Sequence, residues 1–150
     1  LKRLVDCTPN KAGCLFIDYE NAPFTDSNIT IYGHHLLDRS MFSELTQYQE
    51  QAYYDTHPDM LPATPEGGYI VEVFAAFVVS PKEAGSETSP WLIQWADDAA
   101  YTEWLEATQA RSLFQSDVIV GSNTQVLTLS TCINRGTDRF VVMGTLTPAA

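Results

Sequence analysis

Apolar positions along this chain fall mostly into short β-rich runs, and only two stretches keep helical spacing. Cys14-Leu15-Phe16-Ile17-Asp18-Tyr19 is compact and apolar and predicts a buried strand. Ile29-Thr30-Ile31-Tyr32 alternates β-branched and aromatic residues and predicts a strand that runs into Gly33-His34-His35. Residues 69–79 form the longest β-rich run, expected inside the sheet. Val118-Ile119-Val120 predicts a short strand before the turn Gly121-Ser122-Asn123. Val126-Leu127-Thr128-Leu129-Ser130-Thr131-Cys132 and Arg139-Phe140-Val141-Val142 are two further strands, joined by six residues.

The first helical stretch is 40–54, where Met41, Leu45, Tyr48 and Ala52 make one stripe, with Ser40 as N-cap and Glu44 in the first turn. His57-Pro58 ends it, because proline disfavours helix at the residue before it, and His57 is expected in solvent. The second is 97–109, with Asp97 or Asp98 at its N-terminus and Tyr101, Trp104, Leu105 and Thr108 facing inward. Thr8-Pro9-Asn10, Asn21-Ala22-Pro23, Asp26-Ser27-Asn28 and the polar stretch 81–90 are turn and loop chemistry. Trp91 and Trp95 are expected to anchor the second helix to the sheet rather than to line a groove. Five or six strands and two helices, in β-dominated order with long connections, predict a mainly β, α+β domain built as a small mixed barrel.

A length of 150 residues implies one domain, residues 1–150, and a core large enough to fold without staples. The hydrophobic fraction of 45% excludes a disordered chain. No apolar run reaches the roughly 18 residues needed to span a bilayer. The chain opens at Leu1 without a charged-then-apolar leader, so any signal or anchor is expected to be absent from it. The net charge of −11 argues against a nucleic-acid partner and describes a solvated acidic surface. The three cysteines, Cys7, Cys14 and Cys132, leave at least one thiol unpaired, and a Cys7–Cys14 bridge is an open alternative. With no Cys-x-x-Cys and no His-x-x-x-His, no metal site is expected.

Candidate chemistry gathers at the last two strands. Cys132 closes one and Arg139 opens the next, so a thiol and a guanidinium are expected side by side at one end of a sheet. A nearby cation favours the nucleophilic thiolate and also stabilises an oxyanion. Each residue alone has an ordinary reading: a buried cysteine packs as a small hydrophobe, and an arginine pairs with a surface carboxylate. The combination carries the chemistry, together with an imidazole from His34 or His35. In an extended chain these two point to opposite faces, so spacing alone does not choose between them.

Four segments in register resemble the sortases, and within them the class B group. Thr128-Leu129-Ser130-Thr131-Cys132 is similar to that family's TLxTC nucleophile motif. Arg139-Phe140-Val141-Val142 with Gly144 is similar to the strand bearing its essential arginine. Ile31-Tyr32-Gly33-His34, followed by Met41-Phe42 and Leu45, resembles the class B histidine segment, and Gly13 to Tyr19 resembles the strand before it. The helix at 97–109 resembles the extra helix of class B.

The resemblance covers residues from about 12 to 146, with the family's N-terminal helices and first strands expected to be missing. It selects His34 over His35, and Arg139 over the loop residue Arg135. It implies a cysteine transpeptidase of the Gram-positive cell surface, acting on an LPxTG or NPxTN sorting signal of a surface protein or pilin. Cys132 would be the nucleophile, His34 the general acid and base, and Arg139 the oxyanion holder. Ser130 and Thr131 would line the substrate approach. A peptidoglycan cross-bridge amine or a pilin lysine would accept the acyl group. No cofactor or metal is implied, and the membrane would be reached only through an anchor outside this chain. The rival readings are a cysteine peptidase hydrolysing the same bond and a non-catalytic surface binding module.

Overall fold

Val126 to Cys132 is buried at every position, because the strand it forms is covered on both faces. The computed structural model describes residues 15–17, 27–33, 43–61, 63–64 and 67–148. Within these, seven strands form one mixed sheet: β1 (Leu15–Ile17), β2 (Asn28–Gly33), β3 (Asp59–Met60), β4 (Ala63–Thr64), β5 (Gly67–Val79), β6 (Val126–Ile133) and β7 (Asp138–Pro148). The order across the sheet is β1-β2-β6-β7-β5-β3, with β4 also paired to β5. All pairs are antiparallel except β2–β6, which is parallel. This is the mainly β, α+β architecture expected from the sequence.

Strand alternation sorts the core into two halves. Tyr32, Val126, Cys132, Val141 and Met143 face one side, where Trp91 and helix α2 (Asp98–Ala110) cover them. Ile29, Leu127, Leu129, Phe140 and Val142 face the other, against Leu45, Tyr48, Tyr54 and Phe114. β5 serves both halves through a bulge between Val73 and Ala75. The extra residue shifts the alternation, so Val71 and Val73 join the second half while Ala75, Phe77 and Val79 join the first. Gly144 is needed where β7 passes β5. A Cβ there would overlap the Val71 side chain and stand 2.9 Å from the Glu72 carbonyl oxygen.

α2 follows the sequence closely. Asp97 caps it, its Oδ1 accepting from the Ala100 N–H at 2.8 Å, and the buried residues are Tyr101, Trp104, Leu105 and Thr108. The first helix differs from expectation. A 3₁₀ helix spans Ser43–Gln49, Glu50 is extended, and a short α1 (Gln51–Thr56) follows. Leu45 and Tyr48 are buried, since residues three apart eclipse in a 3₁₀ helix. The break at Glu50 resets the phase, so Ala52 is exposed and Tyr54 is buried in its place. Ser40 and Met41 lie outside the described residues.

Residues 118–120 form no strand, and Ile119 is 92% exposed. The Val118 backbone is held by side chains instead. The Val118 N–H donates to Ser116 Oγ, and Gln109 Nε2 donates to the Val118 carbonyl. Among the described residues no helix is long and apolar enough to cross a membrane.

Candidate active site

Cys132 and Arg139 are Cα partners in the β6–β7 ladder and lie on the same face of the sheet. Both strands run one residue further than the sequence implied, leaving only Asn134–Thr137 between them. Asn134, Arg135 and Gly136 take φ of 52°, 58° and 91° there, the left-handed run that reverses the chain tightly. The short reversal forces the register. It puts Arg139 directly opposite Cys132 rather than out in a loop. Arg139 is 9% exposed and curls back over the turn, its Nη1 donating to the Gly136 carbonyl at 3.0 Å and the Asp138 carbonyl at 3.3 Å. Arg135 is exposed in the turn. A buried guanidinium beside a cysteine is a fixed positive charge in low dielectric, suited to a thiolate or an oxyanion.

Cys132 is 9% exposed and disulfide-bonded. The other two cysteines, Cys7 and Cys14, lie outside the described residues. A bonded sulfur is not a nucleophile, so thiol chemistry here begins with reduction. β2 ends at Gly33, whose Cα partner on β6 is Thr131. His34 and His35, the candidate imidazoles, lie outside the described residues. Among the described residues no group of His, Cys, Asp and Glu is arranged to hold a metal ion.

Ser130 shares the face of Cys132, and Thr131 points to the reverse face; each is 1% exposed. The Ser130 hydroxyl accepts the Trp91 indole N–H at 3.2 Å. Trp91 thus roofs the strand near Cys132. Trp95 packs instead on α2, 4.6 Å from the Tyr101 ring and 4.9 Å from the Trp104 ring. The phenol of Tyr101 donates to the Thr124 carbonyl at 2.6 Å, tying α2 to the approach to β6. Burial pushes its pKa up from 10.0 to about 12.

The sequence reading missed Asn28, which it placed in a turn. The residue opens β2 and is fully buried, its side chain bridging Thr128 and the loop that carries Trp91. The signal available was a polar residue heading an alternating β run, which is compatible with turn and strand alike. A cavity of about 630 Å³ runs along α2, lined by Leu92, Trp95, Trp104 and Arg111 among others; neither Cys132 nor Arg139 reaches it. The Arg111 guanidinium is taken up by Glu83 at 2.6 Å and by the Phe77 ring at 4.3 Å.

Comparison with known proteins shows the family and the fold. A family model described as the sortase domain matches residues 4–147. Sortase B of Staphylococcus aureus is 31% identical over 137 residues, which is 89% of this chain and 54% of that protein. Sortase B of Listeria monocytogenes is 31% identical over 123 residues, covering 81% of this chain and 48% of that protein. The chain therefore spans about half the length of these curated relatives. Among solved structures, the Staphylococcus aureus sortase B–substrate complex superposes with a TM-score of 0.82 at 28% identity, over 93% of this chain and 64% of that one. Sortase B of Bacillus anthracis in complex with AAEK2 gives 0.79 at 29% identity, over 93% and 62%.

Proposed function

The chain belongs to the sortase family, and from that premise we propose that it is a class B cysteine transpeptidase acting on an LPxTG- or NPxTN-type sorting signal. The observation that supports this most is the cross-strand pairing of Cys132 with a buried Arg139 on one face.

In the reduced enzyme the Cys132 thiolate attacks the carbonyl carbon of the signal's threonine. The peptide C–N bond breaks, a thioester forms, and the C-terminal fragment leaves as an amine. His34 gives that amine its proton and later takes one from the incoming amine. Arg139 holds the carbonyl oxygen as negative charge builds on it. Ser130 and Thr131, each buried, shape the strand that carries Cys132, Ser130 by accepting from the Trp91 indole and Thr131 from the reverse face, rather than by touching the peptide. The acceptor is a peptidoglycan cross-bridge amine or a pilin lysine, and its attack restores the thiol. This chemistry needs no cofactor. The enzyme works at the outer face of a Gram-positive cell membrane.

The test is mass spectrometry of the reduced protein after incubation with LPxTG and NPxTN peptides, with and without an added amine. A thioacyl adduct on Cys132, absent in Cys132→Ala and converted to amide by the amine, is the expected result and names the signal. Hydrolysis without any gain from the amine would replace transfer by peptidase activity. No adduct with either peptide would overturn the acyl-transfer mechanism for this chain.

A further inference from the structure

We infer that Asn28 is a positioning residue, clamping the loop that carries Trp91 so that the indole sits against the strand of Cys132. The inference rests on the reading of Cys132 as the nucleophile. Its geometry comes from one buried amide. The two protons of Asn28 Nδ2 go to the carbonyl oxygens of Pro90 at 2.8 Å and Leu92 at 2.9 Å. The Oδ1 accepts from Thr128 Oγ1 at 2.6 Å. The two carbonyls flank Trp91 in sequence, so holding both fixes the direction in which the indole leaves the backbone. From there Trp91 Nε1 donates to Ser130.

Ser130 and Cys132 are next neighbours on one face of β6, about 7 Å apart along a strand. The indole is therefore held one side-chain row from the sulfur. The loop has no regular element around Trp91, and its backbone bonds are local, such as Leu92 N–H to the Ser89 carbonyl. Its tie to the sheet depends on side chains, and Asn28 is the one that grips it on both sides of Trp91.

The chemistry explains why the position holds asparagine. A clamp of this kind needs two donors and one acceptor on a short side chain, which asparagine has. Aspartate supplies no donors when ionised and would face two carbonyl oxygens with negative charge. Alanine leaves two buried carbonyls to find other partners. A wall held in this way sets where a peptide lies over the thiol without touching the reacting atoms, so its loss falls on substrate placement.

The test uses Asn28→Ala, Asn28→Asp and Trp91→Phe in the reduced protein. The readouts are the Trp91 indole N–H resonance, assigned with Trp91→Phe, the KM and kcat for the sorting peptide, and the iodoacetamide rate at Cys132. In Asn28→Ala and Asn28→Asp the indole resonance is expected to move toward that of free indole. KM should rise by roughly ten- to a hundredfold while kcat changes little. Trp91→Phe should raise KM alike, and adding Asn28→Ala to it should add little, because both act through one contact. An unmoved resonance with an unchanged KM, or fully additive effects, would overturn the clamp. If the Asn28 variants fail to fold, Thr128→Val removes one donor at nearly constant shape, and an unshifted indole there would overturn it as well. Should the parent form no thioacyl adduct, the transpeptidase reading fails, while the indole resonance still decides for or against the clamp.

Discussion

Arg139 lies directly across the ladder from Cys132, on the same face, with its guanidinium folded back over the turn that joins their two strands. The pairing joins the two residues in one hairpin, so neither shifts without the other. Replacing Arg139 by alanine should lower kcat/KM by roughly a hundred- to a thousandfold, the usual cost of one oxyanion donor. Lysine should not restore it, because a single ammonium cannot reproduce the planar fork that also bonds the turn carbonyls. Arg135→Ala, in the exposed turn, should leave kcat/KM within about twofold. Steady-state kinetics on the three variants checks this.

Cys132 is disulfide-bonded, so thiol chemistry at this position should depend on reductant. Cys132 in protein unfolded without reductant should resist iodoacetamide, and should be alkylated after reduction, as read by peptide mapping. Peptide cleavage should appear only in the reduced sample. Alkylation of Cys132 before reduction would remove the bridge from the account.

Gly144 sits where β7 presses on β5, and Gly144→Ala places a methyl group into the Val71 side chain. Backbone lies behind it, at 2.9 Å from the Glu72 oxygen, so relief requires the strands to part. The expected loss is about 1–3 kcal/mol, the range for overpacking, seen as a lower denaturation midpoint at unchanged m-value.

Tyr101 gives a stability signature at high pH. Its phenol ionises near 10.0 when unfolded and near about 12 when folded, because burial disfavours the phenolate. Between those values the unfolded chain has lost a proton that the folded chain keeps. Stability therefore falls as pH rises through this window. Tyr48, also raised by burial to about 12, adds to the same slope. Tyr101→Phe should flatten part of it, and should cost about 1 kcal/mol near neutral pH through the lost bond to the Thr124 carbonyl. Urea melts at pH 8 and pH 11 measure both.

Much of this protein was legible in the chain, because much of it is local. α2 could be placed from the spacing of Tyr101, Trp104, Leu105 and Thr108 and from an aspartate that caps it, since helical period and capping act within a few residues. The adjacency of Cys132 and Arg139 could be placed because a short reversal leaves two β runs little choice but to pair. The sequence also carried the motif by which the family is recognised. What lay beyond it depends on partners far along the chain. Glu50 breaks the first helical stretch, where periodicity by itself predicted continuity. Residues 118–120 have strand composition but stay irregular, with the Val118 backbone satisfied by Ser116 and Gln109. Asn28 reads as a turn residue until β2 lies parallel to β6 and brings it to Thr128, 100 residues away. Local pattern selects the kind of element. Which strands lie together, and which buried polar groups then meet, is decided by closing long loops and burying both faces of the sheet at once, and no short window of sequence contains that competition.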